Sequence, residues 1–128
     1  MRLVIVTDLD GTLLDAHSYG FEPASAALER VKQLGVPLVL CSSKTSAEID
    51  VIQRRIGIAD PYITENGGAI VAPRGYFAHA PAWAGTADDR VTLVLGPGYA
   101  EVVAGLKEVA AAEQVRVVGF SDMSVSEI

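Results

Sequence analysis

Three short apolar runs, RLVIVT at 2–7, VPLVLC at 36–41 and PYIT at 61–64, are separated by segments whose apolar residues recur at helical spacing. The runs are rich in Val, Ile and Leu and too short for helices, as expected of strands buried on both faces. Between the first two lies PASAALERVKQLG, where Ala24, Ala27, Leu28, Val31 and Leu34 share a helical face. Pro23 suits its first turn and Gly35 its C-terminal cap. Before the third run comes TSAEIDVIQRRIG, with Thr45 and Glu48 spaced as a capping box and Gly57 at the stop. Strands alternating with helices favour right-handed crossovers and a parallel sheet covered by helices, so the fold class is α/β.

Past residue 72 the texture changes to APRGYFAHAPAWAGTADD, a Gly/Pro/Ala stretch with scattered aromatics that reads as a connection or small hairpin. A domain boundary is expected there, giving 1–72 and 73–128. The second part holds an apolar run at 91–96, a helix with Val102, Val103, Leu106, Val109 and Ala110 on one face, and a further run, VRVVGF, at 115–120, which predicts strand, helix and strand. Trp83, Tyr76 and Phe77 are expected to pack a small core around the hairpin.

A chain of 128 residues has room for one hydrophobic core. Half of it is apolar, 20% is charged and the mean hydropathy is +0.32, which fits a globular protein. The net charge of −6 and pI near 4.7 provide no basic footprint for nucleic acid. No apolar run approaches the ~20 residues of a membrane helix, and no signal peptide precedes the first strand, so a cytoplasmic protein with neither a nucleic-acid nor a membrane partner is expected. The one cysteine, Cys41, excludes an internal disulfide and is expected to be a small buried hydrophobe. His17 and His79 read as surface residues.

The first strand ends in DLDG. Residues two apart on a strand point to the same side, so Asp8 and Asp10 would project together while Leu9 faces the core. Open parallel sheets bind ligands beyond the carboxyl ends of their strands, and Gly11 allows a sharp turn there. Two adjacent carboxylates repel unless a cation holds them, and Mg²⁺ takes one or two carboxylates together with phosphate oxygens and water. The alternative partner for the charge is an arginine or lysine, and a further reading is a solvated Asp-Gly turn. An EF-hand is excluded, because Gly11 is fourth from Asp8 and not sixth. The second strand ends in LCSSKT, where Ser42, Ser43 and Lys44 precede a helix N-terminus and could take a phosphate. The glycines of a Walker loop are absent.

DLDGTLL after a first apolar strand, with a serine at the tip of the second, resembles the haloacid dehalogenase superfamily of phosphatases. Within it, LVLCSSKTSAEI, ITENGGAI and VGFSDMSVSEI resemble the N-terminal portion of the mannosyl-3-phosphoglycerate phosphatase family. The resemblance implies an incomplete Rossmann-like parallel sheet core over 1–72, followed by a connection and the first part of an α/β cap over 73–128. It also implies a Mg²⁺-dependent phosphatase acting on a small phosphorylated sugar, mannosyl-3-phosphoglycerate in this family. Asp8 would be the nucleophile that becomes an aspartyl-phosphate, and Asp10 the general acid and then base. Mg²⁺ would be held by the Asp8 carboxylate and the Asp10 backbone carbonyl. Ser42 would bond a phosphate oxygen, with Ser43, Lys44 and Asn66 contacting substrate or ordering the loops.

The family's later lysine and its acidic metal motif have no counterpart here, so the chain resembles the first half of a longer enzyme and could be catalytically incomplete. The first strand would then lie at an open sheet edge, which invites a homodimer by edge pairing. Asp122 and Glu127 read either as cap groups facing a sugar or as solvated loop residues. A non-catalytic sugar-phosphate or Mg²⁺-binding module is the alternative from another class. A phospho-receiver domain would need its acceptor aspartate at the end of the third strand, where ITEN stands instead.

Overall fold

The computed structural model describes residues 3–79 and 81–127. Arg2 of the first apolar run and Ile128 of the last segment lie outside them. The order is β1 (Ile5–Thr7), α1 (Ser25–Gln33), β2 (Leu38–Cys41), α2 (Ser46–Ile56), β3 (Tyr62–Thr64), β4 (Ala69–Pro73), β5 (Gly85–Ala87), β6 (Arg90–Val94) and α3 (Tyr99–Ala112). The chain divides into two compact units, Met1–Leu95 and Gly96–Ile128.

The first unit is an α/β layer built on one six-stranded sheet of order β1-β2-β3-β4-β6-β5. β1, β2 and β3 are parallel, joined through α1 and α2. From β4 onward the pairing is antiparallel, so the parallel sheet expected from the sequence is only its first half. The reason lies in ENGG: a parallel return needs a crossover of about a dozen residues. Here Glu65, Asn66 and Gly67 take φ of 53, 55 and 96° and reverse the chain at once. The stretch after residue 72 does supply a hairpin, β5–β6, and it extends the same sheet.

Both helices of this unit pack on the same sheet face. Ile5, Leu38, Leu40, Tyr62 and Val71 are cross-strand partners in register and share one apolar cluster with Leu28 of α1 and Ile49, Ile52 and Ile56 of α2. The opposite face carries Val6, Val39, Cys41, Ile63, Ile70 and Leu93, all half-buried or exposed. Cys41 is therefore not the buried hydrophobe expected, because an odd position on β2 faces the side without α1 and α2. The single apolar alternation also replaces the two-faced burial that the run compositions predict.

The helix ends follow their punctuation. Gly35 (φ 60) closes α1, with the Val36 N–H on the Val31 carbonyl at 3.2 Å, and Gly57 (φ 76) closes α2, with the Ile58 N–H on Gln53 at 3.1 Å. Thr45 caps α2, and the Glu48 carboxylate accepts its N–H at 2.9 Å and its hydroxyl at 2.7 Å.

In the second unit α3 ends in a Schellman closure. Gln114 takes φ 57, and the Val115 N–H returns to the Ala110 carbonyl at 2.9 Å. The chain leaves the helix in irregular backbone, and no strand forms over 115–120. Val115–Gly119 has no ladder partner among the described residues, and Phe120–Asp122 is a 3-10 turn. Of the expected apolar face of α3, Ala110 is buried, whereas Val102, Leu106 and Val109 are exposed. Trp83 and Phe77 are exposed too, instead of packing a core; Tyr76 stacks edge-on with Phe77 and donates its hydroxyl to Asp60. His17 and His79 are exposed, and Glu127 accepts from Ser124 in an exposed turn.

The two Thr45 bonds hold the Glu48 carboxyl below its ordinary value of 4.5. Because its folded value is the lower one, Glu48 contributes stability above about pH 4.5 that disappears as pH falls through the folded value. Urea unfolding should therefore show part of the acid-side stability loss vanish in Glu48→Gln. An unchanged pH slope would exclude this contribution.

Candidate functional site

β1 stops at Thr7 and the chain turns at once. The Leu9 carbonyl accepts the N–H groups of Thr12 (3.2 Å) and Leu14 (2.8 Å), and the Gly11 N–H reaches Leu14 at 2.9 Å. Gly11 has φ +70°, a conformation strained for residues with a side chain. Leu9 and Leu14 are 0% and 2% exposed, so this turn is pinned to the core from beneath. Asp8 and Asp10, on either side of Leu9, are left exposed on one wall of a cleft. The Thr12 hydroxyl donates to Asp8 Oδ2 at 3.3 Å, and the Thr7 hydroxyl to the Asp8 carbonyl at 2.9 Å.

Parallel pairing of Thr7 with Leu40 places the end of β2 beside Asp8. Ser42 continues the inward alternation of Leu38 and Leu40 and is buried. Its N–H donates to the Ile63 carbonyl (3.1 Å), its carbonyl accepts the Asn66 N–H (3.1 Å), and its Oγ accepts the Lys44 N–H (3.2 Å). The left-handed turn after β3 thus delivers Asn66 to the same place, a conformation asparagine tolerates well. The cleft, about 490 Å³, is lined by Val6, Thr7, Asp8, Asp10, Cys41, Ser42, Ser43 and Asn66. Its size falls within the ~300–1,000 Å³ range of small-molecule sites.

Five of the six candidate residues therefore share one cleft, and Lys44 is the exception. Its ammonium is 2.9 Å from Asp10 Oδ1 and its side chain is only 15% exposed. The Tyr19 ring centroid lies 5.2 Å from the same nitrogen. The hydrogen bond to Asp10 raises the Lys44 ammonium above the ordinary lysine value. Tyr19 reaches it from a loop folded around the Asp15 carboxylate, which accepts the N–H groups of Ser18 (2.8 Å) and His17 (3.1 Å) and the Ser18 hydroxyl (2.9 Å). These bonds, that of the Ser18 N–H foremost, hold the Asp15 carboxyl below its usual range.

Sequence reasoning missed Thr7, Thr12 and Tyr19. Thr12 stood in the quoted motif and its hydroxyl could have been found there. Nothing in the local sequence marks Tyr19, whose contact depends on a positive φ and on a loop from another part of the chain. Among the described residues no three His, Cys, Asp or Glu side chains gather around a common point. The cleft is thus rich in oxygen, with two carboxylates, a buried hydroxyl and a side-chain amide, and the ammonium beside it is already engaged by Asp10.

Residues 5–81 match the family model of haloacid dehalogenase-like hydrolases. The chain is 39% identical, over 98% of its length, to the glucosyl-3-phosphoglycerate/mannosyl-3-phosphoglycerate phosphatase of Persephonella marina. It is 31% identical, over its whole length, to the phosphatase of that name from Methanococcoides burtonii. It spans 46% and 47% of those two proteins, about half of each. The fold is similar to a crystal structure of a haloacid dehalogenase-like hydrolase from Bacteroides thetaiotaomicron, with TM-score 0.58 and 22% identity over 89% of this chain and 39% of that one.

If Leu9 is what pins the two aspartates in place, Leu9→Ala should destabilise the chain by about 2–5 kcal/mol in urea unfolding. A loss below about 1 kcal/mol would show that the turn is held by its backbone bonds instead.

Proposed function

Because this chain belongs to the haloacid dehalogenase-like hydrolases, we propose that its cleft is the phosphate-handling half of a sugar-phosphate phosphatase of the kind its two relatives are named for. One observation carries this reading: the convergence of Asp8, Asp10, Ser42, Ser43 and Asn66 on a single cleft at the carboxyl ends of β1 and β2. Open α/β sheets bind ligands at that end.

In this reading Asp8 attacks phosphorus, and the phosphoryl group passes to its carboxylate as the bond to the sugar oxygen breaks. Asp10 gives a proton to that leaving oxygen, then takes one from the water that hydrolyses the aspartyl-phosphate. The Thr12 hydroxyl at Asp8 Oδ2 orients the nucleophile. Ser42 uses its Oγ to accept from Lys44, which leaves the hydroxyl proton free to meet a phosphate oxygen. Asn66 offers a side-chain amide at the rim.

The donor set fits Mg²⁺ as a half-site. The Asp8 carboxylate meets only the Thr12 hydroxyl, and the Asp10 carbonyl accepts no hydrogen bond among the described residues. These two oxygens would hold the ion, whose other positions suit water and phosphate, and a bound Mg²⁺ supplies charge neutralisation to the transferring group. Residues 73–128 are read as the connection and partial cap; the separate compact unit from Gly96 onward supports this for 96–128, whereas β5 and β6 extend the sheet of the first unit. Among the described residues β1 lies at an edge of the sheet with Leu3, Val4 and Val6 exposed, which supports a homodimer of this chain by edge pairing. Light scattering that finds only monomer at high concentration would remove the dimer.

The deciding assay is phosphate release from mannosyl-3-phosphoglycerate by the 128-residue chain, with and without Mg²⁺. Turnover is expected to require Mg²⁺ and to fall on the order of 10³-fold or more in Asp8→Asn, as for loss of a nucleophile. Saturable binding of that substrate without turnover would instead favour a non-catalytic sugar-phosphate module, the reading favoured by the lack of a three-acid cluster among the described residues.

A further inference from the structure

We propose that Lys44, with the Tyr19 ring over it, sets the direction of the Asp10 carboxylate and is a positioning residue for proton transfer rather than a ligand of the phosphate, a role that rests on the acid–base reading of Asp10. Lys44 reaches Asp10 Oδ1 at 2.9 Å from the opposite loop and is not part of the cleft wall. Lysine stems are flexible when free. This one is fixed at both ends. At its root the N–H donates to Ser42 Oγ (3.2 Å), and the carbonyl accepts the Thr64 hydroxyl (2.6 Å) and the Glu65 N–H (3.1 Å). At its tip the ammonium lies between Asp10 and the Tyr19 ring, at 5.2 Å from the centroid, within the ~6 Å reach of a cation–π contact.

Tyr19 makes that contact from φ 53, an uncommon backbone conformation for a bulky residue. It is held there by its N–H on the Asp15 carbonyl (2.9 Å) and by the turn around the Asp15 carboxylate. A strained residue kept over an ammonium that touches a site carboxylate fits a positioning device. The Asp10 side chain is 41% exposed, and Lys44 is the ionic partner that limits its rotation. With Oδ1 tied to Lys44, Oδ2 is the oxygen left to carry the proton. In the transfer the Oδ2–H bond breaks, the proton goes to the leaving oxygen, and that oxygen takes the electron pair of the breaking P–O bond. Lys44 forms no bond to the substrate.

Two measurements on the full chain test this. In solution NMR, the side-chain couplings of Asp10 should report one χ1 rotamer in the native chain and in Lys44→Arg, and rotamer averaging in Lys44→Ala. In kinetics, kcat/KM in Lys44→Ala should fall roughly tenfold or more for an alkyl phosphate, whose leaving oxygen needs a proton, and under about threefold for p-nitrophenyl phosphate, whose leaving group does not. Lys44→Arg should recover most of the alkyl-phosphate rate. Equal losses on the two esters, or an Asp10 rotamer indifferent to Lys44→Ala, would overturn the proposal. Failure of the phosphatase reading would appear earlier, as absence of turnover by the native chain, and the NMR result then decides the positioning role alone.

Discussion

The burial of one sheet face against α1 and α2 governs the placement of everything at the strand ends. Side chains alternate along a strand, so once Leu38 and Leu40 are committed to the helices, Ser42 follows them inward while Cys41 goes to the other side. On β1 the same alternation sends Ile5 and Leu9 inward, and Val6, Asp8 and Asp10 to the opposite side. The cleft therefore opens on the face that α1 and α2 leave free. A register slip of one residue would exchange Leu9 with an aspartate and place a carboxylate in the core, which makes the register of β1 strongly specified.

What was legible in the sequence was the part encoded by short-range periodicity and punctuation. Gly35 and Gly57 end their helices because only residues tolerant of positive φ close the turn without strain, and the Thr45–Glu48 spacing forms its cap for equally local reasons. The convergence of Asp8 and Ser42 was legible as well, since adjacent parallel strands bring their carboxyl ends together. Long-range pairing was not. VRVVGF has the composition of a strand, yet composition cannot provide a neighbour, and a strand without a ladder leaves its backbone groups to other partners. The antiparallel return at β4 depends on three consecutive positive φ values, of which those at Asn66 and Gly67 suit their residue types and the one at Glu65 is unannounced.

Lys44 is the instructive case at the site. From its place beside two serines and a helix start, either a substrate contact or a role in ordering the loops was expected. Among the described residues its ion-pair partner is Asp10, brought close by β1–β2 pairing, and the unpaired alternative would leave an ammonium largely shielded from water. Sequence spacing placed Asp10 and Lys44 at the same sheet end without saying which partner each would choose, because that depends on side-chain reach across strands.

Charge balance at the cleft then limits what it can hold. With both carboxylates ionised, as they are once Asp10 has given up its proton, Asp8 and Asp10 carry two negative charges, and Lys44 offsets one of them through its contact with Asp10. A phosphate dianion placed in the cleft would share it with the remaining carboxylate, in a chain whose net charge is already −6. Repulsion of that kind is weak in bulk water but several-fold stronger at the lower effective dielectric of a protein cleft. Neutral donors such as the Ser42 hydroxyl and the Asn66 amide orient a phosphate without cancelling its charge. Further positive charge is thus required for tight phosphate binding, and because Lys44 is spoken for, it has to come from outside the residues that line this cleft.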